Sequence, residues 1–236
     1  MLKTIVVIIP AYNEEKNIFS TYSELISLSK KLDKYKLKIV FINDCSTDNT
    51  LGVLKKIKEK NSRASIINLK EHSGTWTGFK IASDNFNSDY LTWLPADMQV
   101  PCSIIEQALK KIEGNEKLDC VYGIGYPHGN GIFSVIFWMW LFLRFKGKLM
   151  KKQIDFFLIR KNIMDSRRKN EFHNIFPLEV FKSKNYEFIK FRKNPRKSGK
   201  SRYNLWSKVE MFTKTVILSV NMNLLASKKP RYEIFR

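Results

Sequence analysis

Five short apolar runs, the first four each followed by a polar turn and a stretch of helical period, constrain this chain most. Residues 4–10 (TIVVIIP) are β-branched without interruption, the mark of a strand buried on both faces. Residues 37–42, 64–69, 90–94 and 118–123 repeat the pattern. Between them, residues 15–32 carry Ile18, Tyr22, Leu25, Ile26, Leu28 and Leu32 at helical spacing. Further helices are predicted from Thr47 or Asp48 through Leu54 and Ile57, over 74–86 and over 103–112. Alternation of this kind with short loops predicts an α/β fold, a mostly parallel Rossmann-like sheet flanked by helices. The polar turns all follow strand C-terminal ends: 12–14, Asn43-Asp44, 71–74 and 97–99. One rim therefore collects the polar residues, which is where open α/β sheets bind ligands. Neither a GxGxxG nor a P-loop is present, which argues against dinucleotide and Walker-type sites.

The turn at residues 95–101, PADMQVP, holds Asp97 and Gln99 one residue apart. In an extended segment both point to one side, so both oxygens can reach one hard cation. A polar loop leading into a helix cap is the other reading of the same residues.

Lys and Arg number 42 against 22 Asp and Glu, a formal charge of +20, which calls for an anionic partner. No RNA motif with interleaved aromatics appears, so nucleic acid is not expected. Cys45, Cys102 and Cys120 fit neither a metal spacing nor a disulfide framework, consistent with a reducing cytoplasm. Met1 runs directly into the first strand, so no signal peptide is expected. Residues 132–145 (IFSVIFWMWLFLRF) are apolar apart from Ser134 and Arg144, and Lys146, Lys148, Lys151 and Lys152 follow. The segment is too short to span a bilayer. It reads either as a core helix or as an amphipathic helix in a membrane interface, its lysines on anionic lipid. Strands are predicted over 154–160 and 186–191. A helix or turn interrupted at Pro177 is predicted over 172–181, and a helix over 205–225. A frayed basic tail is predicted over 227–236.

Four motifs in order resemble the family 2 glycosyltransferases of the GT-A fold, specifically the dolichyl-phosphate mannose synthase and bactoprenol glucosyltransferase group. Ile9-Pro10-Ala11-Tyr12-Asn13-Glu14-Glu15 resembles the group's P-A-Y-N-E. Residues 41–50 (FINDCSTDNT) resemble V-D-D-G-S-x-D-x-T, residues 95–101 D-A-D-L-Q-x-P, and residues 196–203 (RKSGKSRY) R-x-x-G-x-S-K/R-Y. The resemblance implies a GT-A domain over 1–208, with a nucleotide-sugar half (1–125) and an acceptor- and membrane-facing half (126–208), followed by a C-terminal helix and tail (209–236). It implies that Pro10, Tyr12 and Glu14 line a nucleoside pocket and that Asp44 accepts a base N–H. Asp97 and Gln99 would hold Mg²⁺ or Mn²⁺ against the diphosphate of a UDP- or GDP-linked sugar, with Ser201 and Arg202 closing over it. Asp97 and Arg202 would then carry catalysis, joined by Asp155 on the acceptor side.

Three residues depart from the pattern. Pro95 stands at the first Asp of D-x-D, Asn43 at the first Asp of D-D, and Phe157 at the Arg of D-F-R-L. The last change leaves the acceptor phosphate to Arg144 or Arg160. The expected activity is transfer of a sugar, with inversion, to a polyprenyl phosphate. The enzyme would be peripheral on the cytoplasmic face of the membrane, held by an anionic surface or by a membrane-protein partner. Transfer to a saccharide or other soluble acceptor is the alternative; a non-catalytic basic nucleotide-binding module is a second.

Overall fold

The structure is a computed structural model that describes residues 2–127, 132, 135–136, 139–140, 143, 154–165, 185–195, 209, 213 and 230–236. Its elements in order are β1 (Lys3–Ala11), α1 (Glu15–Lys31), β2 (Tyr35–Asp44), α2 (Thr50–Lys60), β3 (Ala64–Leu69), α3 (Thr75–Asn85) and β4 (Tyr90–Trp93). There follow α4 (Ile104–Gly114), β5 (Cys120–Tyr126), β6 (Phe156–Arg160), α5 (Lys161–Asp165), β7 (Tyr186–Arg192) and β8 (Tyr232–Phe235). The sheet order is β7-β5-β6-β4-β1-β2-β3-β8. β4, β1, β2 and β3 run parallel, β7 runs with β5, and β6 and β8 run against their neighbours.

β1 sits at the centre with Ile5, Val6, Val7, Ile8 and Ile9 all fully buried. Its side chains alternate between two cores. Ile5, Val7 and Ile9 meet Ile18 and Leu25 of α1, Leu54 of α2 and Leu109 of α4. Val6 and Ile8 meet Phe79 and Ile81 of α3, with Met164 of α5 in the same cluster. The continuous apolar runs of the sequence thus have their cause in helices on both faces.

Gly78 brings α3 close to β2. A Cβ there would lie 2.3 Å from Cγ2 of Ile42, itself fully buried. Gly78→Val is expected to lower stability by about 1–3 kcal/mol through overpacking, which outweighs what valine gains over glycine in a helix, on the order of 0.3 kcal/mol. A thermal melt reads this, and an unchanged midpoint would mean that the helix shifts freely.

The tail differs from its sequence reading. Tyr232–Phe235 is not frayed but forms an edge strand antiparallel to β3. Lys70 N donates to the Arg231 carbonyl at 3.0 Å, and Lys70 Nζ pairs with Glu233 at 2.7 Å. Tyr232 and Ile234 pack on the second core, and Phe235 on the first. Charged residues flanking a short apolar alternation hid this edge.

Arg160 is a second correction. β6 runs antiparallel, so its C-terminal residue lies at the end of the sheet away from the polar turns. There Nε donates to the Leu118 carbonyl (2.7 Å), Nη1 to Tyr90 Oη (3.1 Å) and Nη2 to the Ile112 carbonyl (3.2 Å). With its nitrogens spent on the scaffold, it cannot hold an acceptor phosphate on the polar rim. Tyr90 Oη in turn donates to Glu113, which also takes Lys3 Nζ at 2.7 Å. Burial works to raise the Glu113 carboxyl, but the bonds from Lys3 and Tyr90 outweigh it, and the group sits below its ordinary value. A depressed carboxyl stabilises the fold above its unfolded pKa, and that contribution fades as pH falls through the folded one. Glu113→Gln should therefore melt below the parent near pH 7. The gap should close as pH falls below the ordinary glutamate value of about 4.3, whereas a constant gap would contradict the linkage.

Candidate active site

The parallel strands deliver their C-terminal ends to one rim, and the order β4-β1-β2 sets Tyr12 between Asp97 on one side and Asp44 on the other. Three of the rim turns contain a non-glycine residue in the left-handed region: Asn13 (φ 56°), Cys45 (φ 60°) and Met98 (φ 61°). Each such residue costs about 1–3 kcal/mol, a cost that surrounding contacts must offset.

Those contacts are visible. Asn13 Oδ1 accepts Thr47 N at 2.8 Å, and Asn13 N donates to Ser46 Oγ at 3.0 Å. Glu14 N donates to Thr50 Oγ1 at 2.8 Å, and Glu15 N to Asp48 Oδ2 at 3.3 Å. The first two motifs are therefore laced into one floor, in which Asn13 and Asp48 hold the backbone. Glu14, expected to line the nucleoside pocket, accepts Asn17 Nδ2 at 2.7 Å at the head of α1. Pro10 and Tyr12 are half-buried at the end of β1.

Asp44 is buried at the end of β2. Its Oδ1 accepts Ser73 N (2.8 Å) and Gly74 N (3.1 Å); its Oδ2 lies 3.0 Å from Gly74 N. A carboxylate at the head of α3 is also favoured by the helix dipole. The His72 Nδ1 lies 3.0 Å from Oδ2, and the His72 ring stands 4.6 Å from that of Tyr12. Asn43 points elsewhere. Its Nδ2 donates to Asn68 Oδ1 at 2.7 Å, deep between β2 and β3. No cation reaches that pair among the described hydrogen bonds and ion pairs, so an amide suits the position better than the family's carboxylate.

Asp97 is buried in the turn after β4, and its Oδ1 accepts Gln99 N at 3.1 Å. The turn is held from behind by Asn194, whose Nδ2 donates to the Met98 carbonyl (3.1 Å) and whose N donates to the Gln99 carbonyl (3.0 Å). Neighbouring Lys193 donates its N to the Tyr126 carbonyl at 2.8 Å and pairs Nζ with Asp155 Oδ1 at 2.8 Å. The other Asp155 oxygen accepts Gly125 N at 3.0 Å. Asp155 immediately precedes β6, so antiparallel β6 brings it to the rim that it denies to Arg160. Ser201, Arg202 and Arg144 lie outside the described residues.

As a metal centre the turn after β4 offers one carboxylate, Asp97, and one amide, Gln99. Among the described residues no group of three or more His, Cys, Asp or Glu side chains could hold an ion. With Pro95 in place of a second carboxylate, the set suits a hard divalent ion only where a bound diphosphate supplies further oxygens.

Residues 6–173 match the family model described as glycosyl transferase family 2. The chain belongs to glycosyl transferase family 2. An uncharacterised glycosyltransferase of Synechocystis sp. is 25% identical over 207 residues, covering 85% of this chain and 64% of the relative. The poly-β-1,6-N-acetyl-D-glucosamine synthase of Staphylococcus aureus is 31% identical over 123 residues, covering 52% of this chain and 28% of that one. The chain thus spans less than two thirds of the length of either relative. Glucosyl-3-phosphoglycerate synthase from Mycobacterium tuberculosis, solved with Mn²⁺, UDP-glucose and phosphoglyceric acid, superposes with a TM-score of 0.62. The identity is 14%, over 92% of this chain and 78% of that one. That likeness establishes a GT-A-like fold for this family 2 domain.

Sequence reasoning did not find His72, Lys193 or Asn194 in this family 2 rim. His72 lies within the turn at 71–74, and Asn194 stands two residues before the motif at 196–203. Their partners are set by strand order, which no local pattern carries.

Proposed function

We propose that this family 2 domain transfers a sugar from a nucleotide diphosphate sugar to a polyprenyl phosphate at the cytoplasmic face of a membrane. The observation that carries the donor half is the pair of buried carboxylates, Asp44 and Asp97, on either side of Tyr12. Tyr12 would pack against the base and Asp44 would accept its N–H, an acceptor-only role suited to a carboxylate. Asp97 and Gln99 would hold Mg²⁺ or Mn²⁺, which would neutralise charge on the departing diphosphate. Ser201 and Arg202 of the motif at 196–203 would serve the same diphosphate. The acceptor phosphate oxygen forms the new bond to the anomeric carbon as the bond to the nucleoside diphosphate breaks on the opposite face, inverting the centre.

Asp155 bears on the acceptor. A sugar hydroxyl needs a general base, but both Asp155 oxygens already hold an ammonium and a backbone N–H. A phosphate acceptor is an anion near neutral pH and needs alignment rather than deprotonation. Asp155 is therefore read as a positioning residue that joins Gly125 of β5 to Lys193 just beyond β7.

The lipid half of the reading is supported by the surface. Ile132, Val135, Ile136, Met139, Trp140 and Leu143 are helical. At 3.6 residues per turn, Ile132, Ile136, Met139 and Leu143 fall within an arc of about 60°. Ile132, Ile136 and Leu143 are 71%, 48% and 54% exposed, whereas Trp140 packs on the second core. An exposed apolar stripe anchored by a tryptophan, with four lysines close behind in sequence, suits an anionic lipid surface. Among the described residues no helix is long and apolar enough to cross a membrane.

The test supplies radiolabelled UDP-glucose or GDP-mannose, Mn²⁺ and undecaprenyl phosphate in anionic vesicles. Label should pass to the organic phase in acid-labile form. Label passing only to a soluble saccharide or phosphorylated acceptor would overturn the lipid reading and keep the donor reading.

Asp44→Ala should weaken nucleotide binding by about 1–3 kcal/mol, the ordinary result of leaving a polar partner unpaired. It should also lower the melting point, because Ser73 and Gly74 lose their acceptor. Calorimetry with UDP and GDP checks the first; unaltered affinity in a folded variant would place the base elsewhere.

A further inference from the structure

His72 already holds a position on Asp44 that a base would need. A carboxylate offers about four lone-pair sites, and three donors meet them: Ser73 N on Oδ1, the one Gly74 N–H shared between Oδ1 and Oδ2, and His72 Nδ1 at Oδ2. The two backbone donors belong to the turn that opens α3, and moving them would unwind the helix start. His72 is different. Its side chain is 59% exposed, and Nδ1 has a second acceptor close by, the Asp44 carbonyl at 3.2 Å. Its ring also lies against Tyr12, on the ring surface that a base would use.

The geometry points to His72 as an internal competitor for the nucleoside pocket: its imidazole holds the Asp44 oxygen and the Tyr12 ring surface that a nucleobase takes, and the base binds as His72 swings out. This rests on the reading of Asp44 and Tyr12 as the base site and adds a residue that sets how tightly that site binds. The incoming ligand is a base whose edge presents an N–H donor to a carboxylate. Because the His72–Asp44 contact must break, apparent affinity is reduced by the fraction of protein in which the pocket is closed. Removing the imidazole should therefore tighten binding, the reverse of what loss of a base-contacting residue does.

The experiment is calorimetry with UDP-glucose and with GDP-mannose, each with Mn²⁺, on the parent, His72→Ala, Asp44→Asn and the double variant. The expected result is about 3–10-fold tighter binding of whichever probe binds to His72→Ala. That gain should vanish in the Asp44→Asn background, where the oxygen contested by imidazole and base has become an amide. The double comparison separates competition from general loosening, which would be indifferent to residue 44. Equal or weaker binding by His72→Ala overturns the proposal while leaving the base site standing. Equal binding by parent and Asp44→Asn, with His72→Ala still tighter, overturns both the base site at Asp44 and the competition for it. Absence of binding by both probes to the parent and to His72→Ala also overturns the proposal, since vacating the pocket would then not admit a nucleotide.

Discussion

Asp97→Ala is expected to lower transfer by on the order of 100–1,000-fold, the scale on which a group stabilising transition-state charge is lost. The reason is that the rim has so few alternatives. Pro95 removes the carboxylate that the family pattern would place two residues earlier, and among the described residues no cluster of acidic or imidazole groups stands nearby to take over. Asp97 is buried and its turn is fixed by Asn194 through two consecutive carbonyls, so loss of the side chain should leave the loop in place. The defect should appear as lost Mn²⁺-dependent donor affinity with only a small fall in melting point, from the loss of the Gln99 N–H acceptor. Steady-state rates over a Mn²⁺ series distinguish this from misfolding. Recovery of the parent rate at high Mn²⁺ would show that Asp97 only tunes the site, and parent behaviour throughout would remove it from the site altogether.

The second large effect concerns the exposed stripe. Ile132→Asp with Ile136→Asp should reduce partition to anionic vesicles by on the order of 100-fold or more, since burying each apolar side chain is worth about 1.5–3 kcal/mol. Binding by the parent should weaken with salt without vanishing, because lysine attraction is screened and apolar burial is not. Trp140 is a poor choice for this test. It packs on the second core, so a charge there probes folding instead. Vesicle flotation beside a thermal melt reads both properties. A double variant that floats like the parent would exclude the stripe as the contact, and one that melts far below it would make the stripe part of the core.

The layered fold was legible because its causes are local. Unbroken β-branched runs such as residues 4–10 announce strands covered on both faces, and polar turns at their ends mark the binding rim. Asp97 stood out beside Gln99 in a turn after a strand, whereas Asp44 and Asp155 were marked by their resemblance to family 2 motifs. Arg160 could not be placed, because its role depends on the direction of β6. A strand running up or down has the same apolar pattern, yet direction decides whether Asp155 or Arg160 lies on the polar rim. β8 was missed for a related reason: an edge strand of four residues owes its order to β3, more than 160 residues earlier. Asn13 and Asn194 read as ordinary turn residues until strand order set Thr47, Met98 and Gln99 beside them. The His72–Asp44 contact also joins two turns that meet only because β2 and β3 are neighbours.

The claim that one rim binds a nucleotide sugar through Asp44 and Asp97 is tested most directly by a crystal of the chain with UDP-glucose or GDP-mannose and Mn²⁺, measured at the manganese absorption edge. The account predicts an anomalous peak within coordination distance of an Asp97 oxygen, with the diphosphate beside it and the base against Tyr12 at Asp44. A nucleotide bound with its metal away from Asp97, or with its base on another part of the surface, would contradict it.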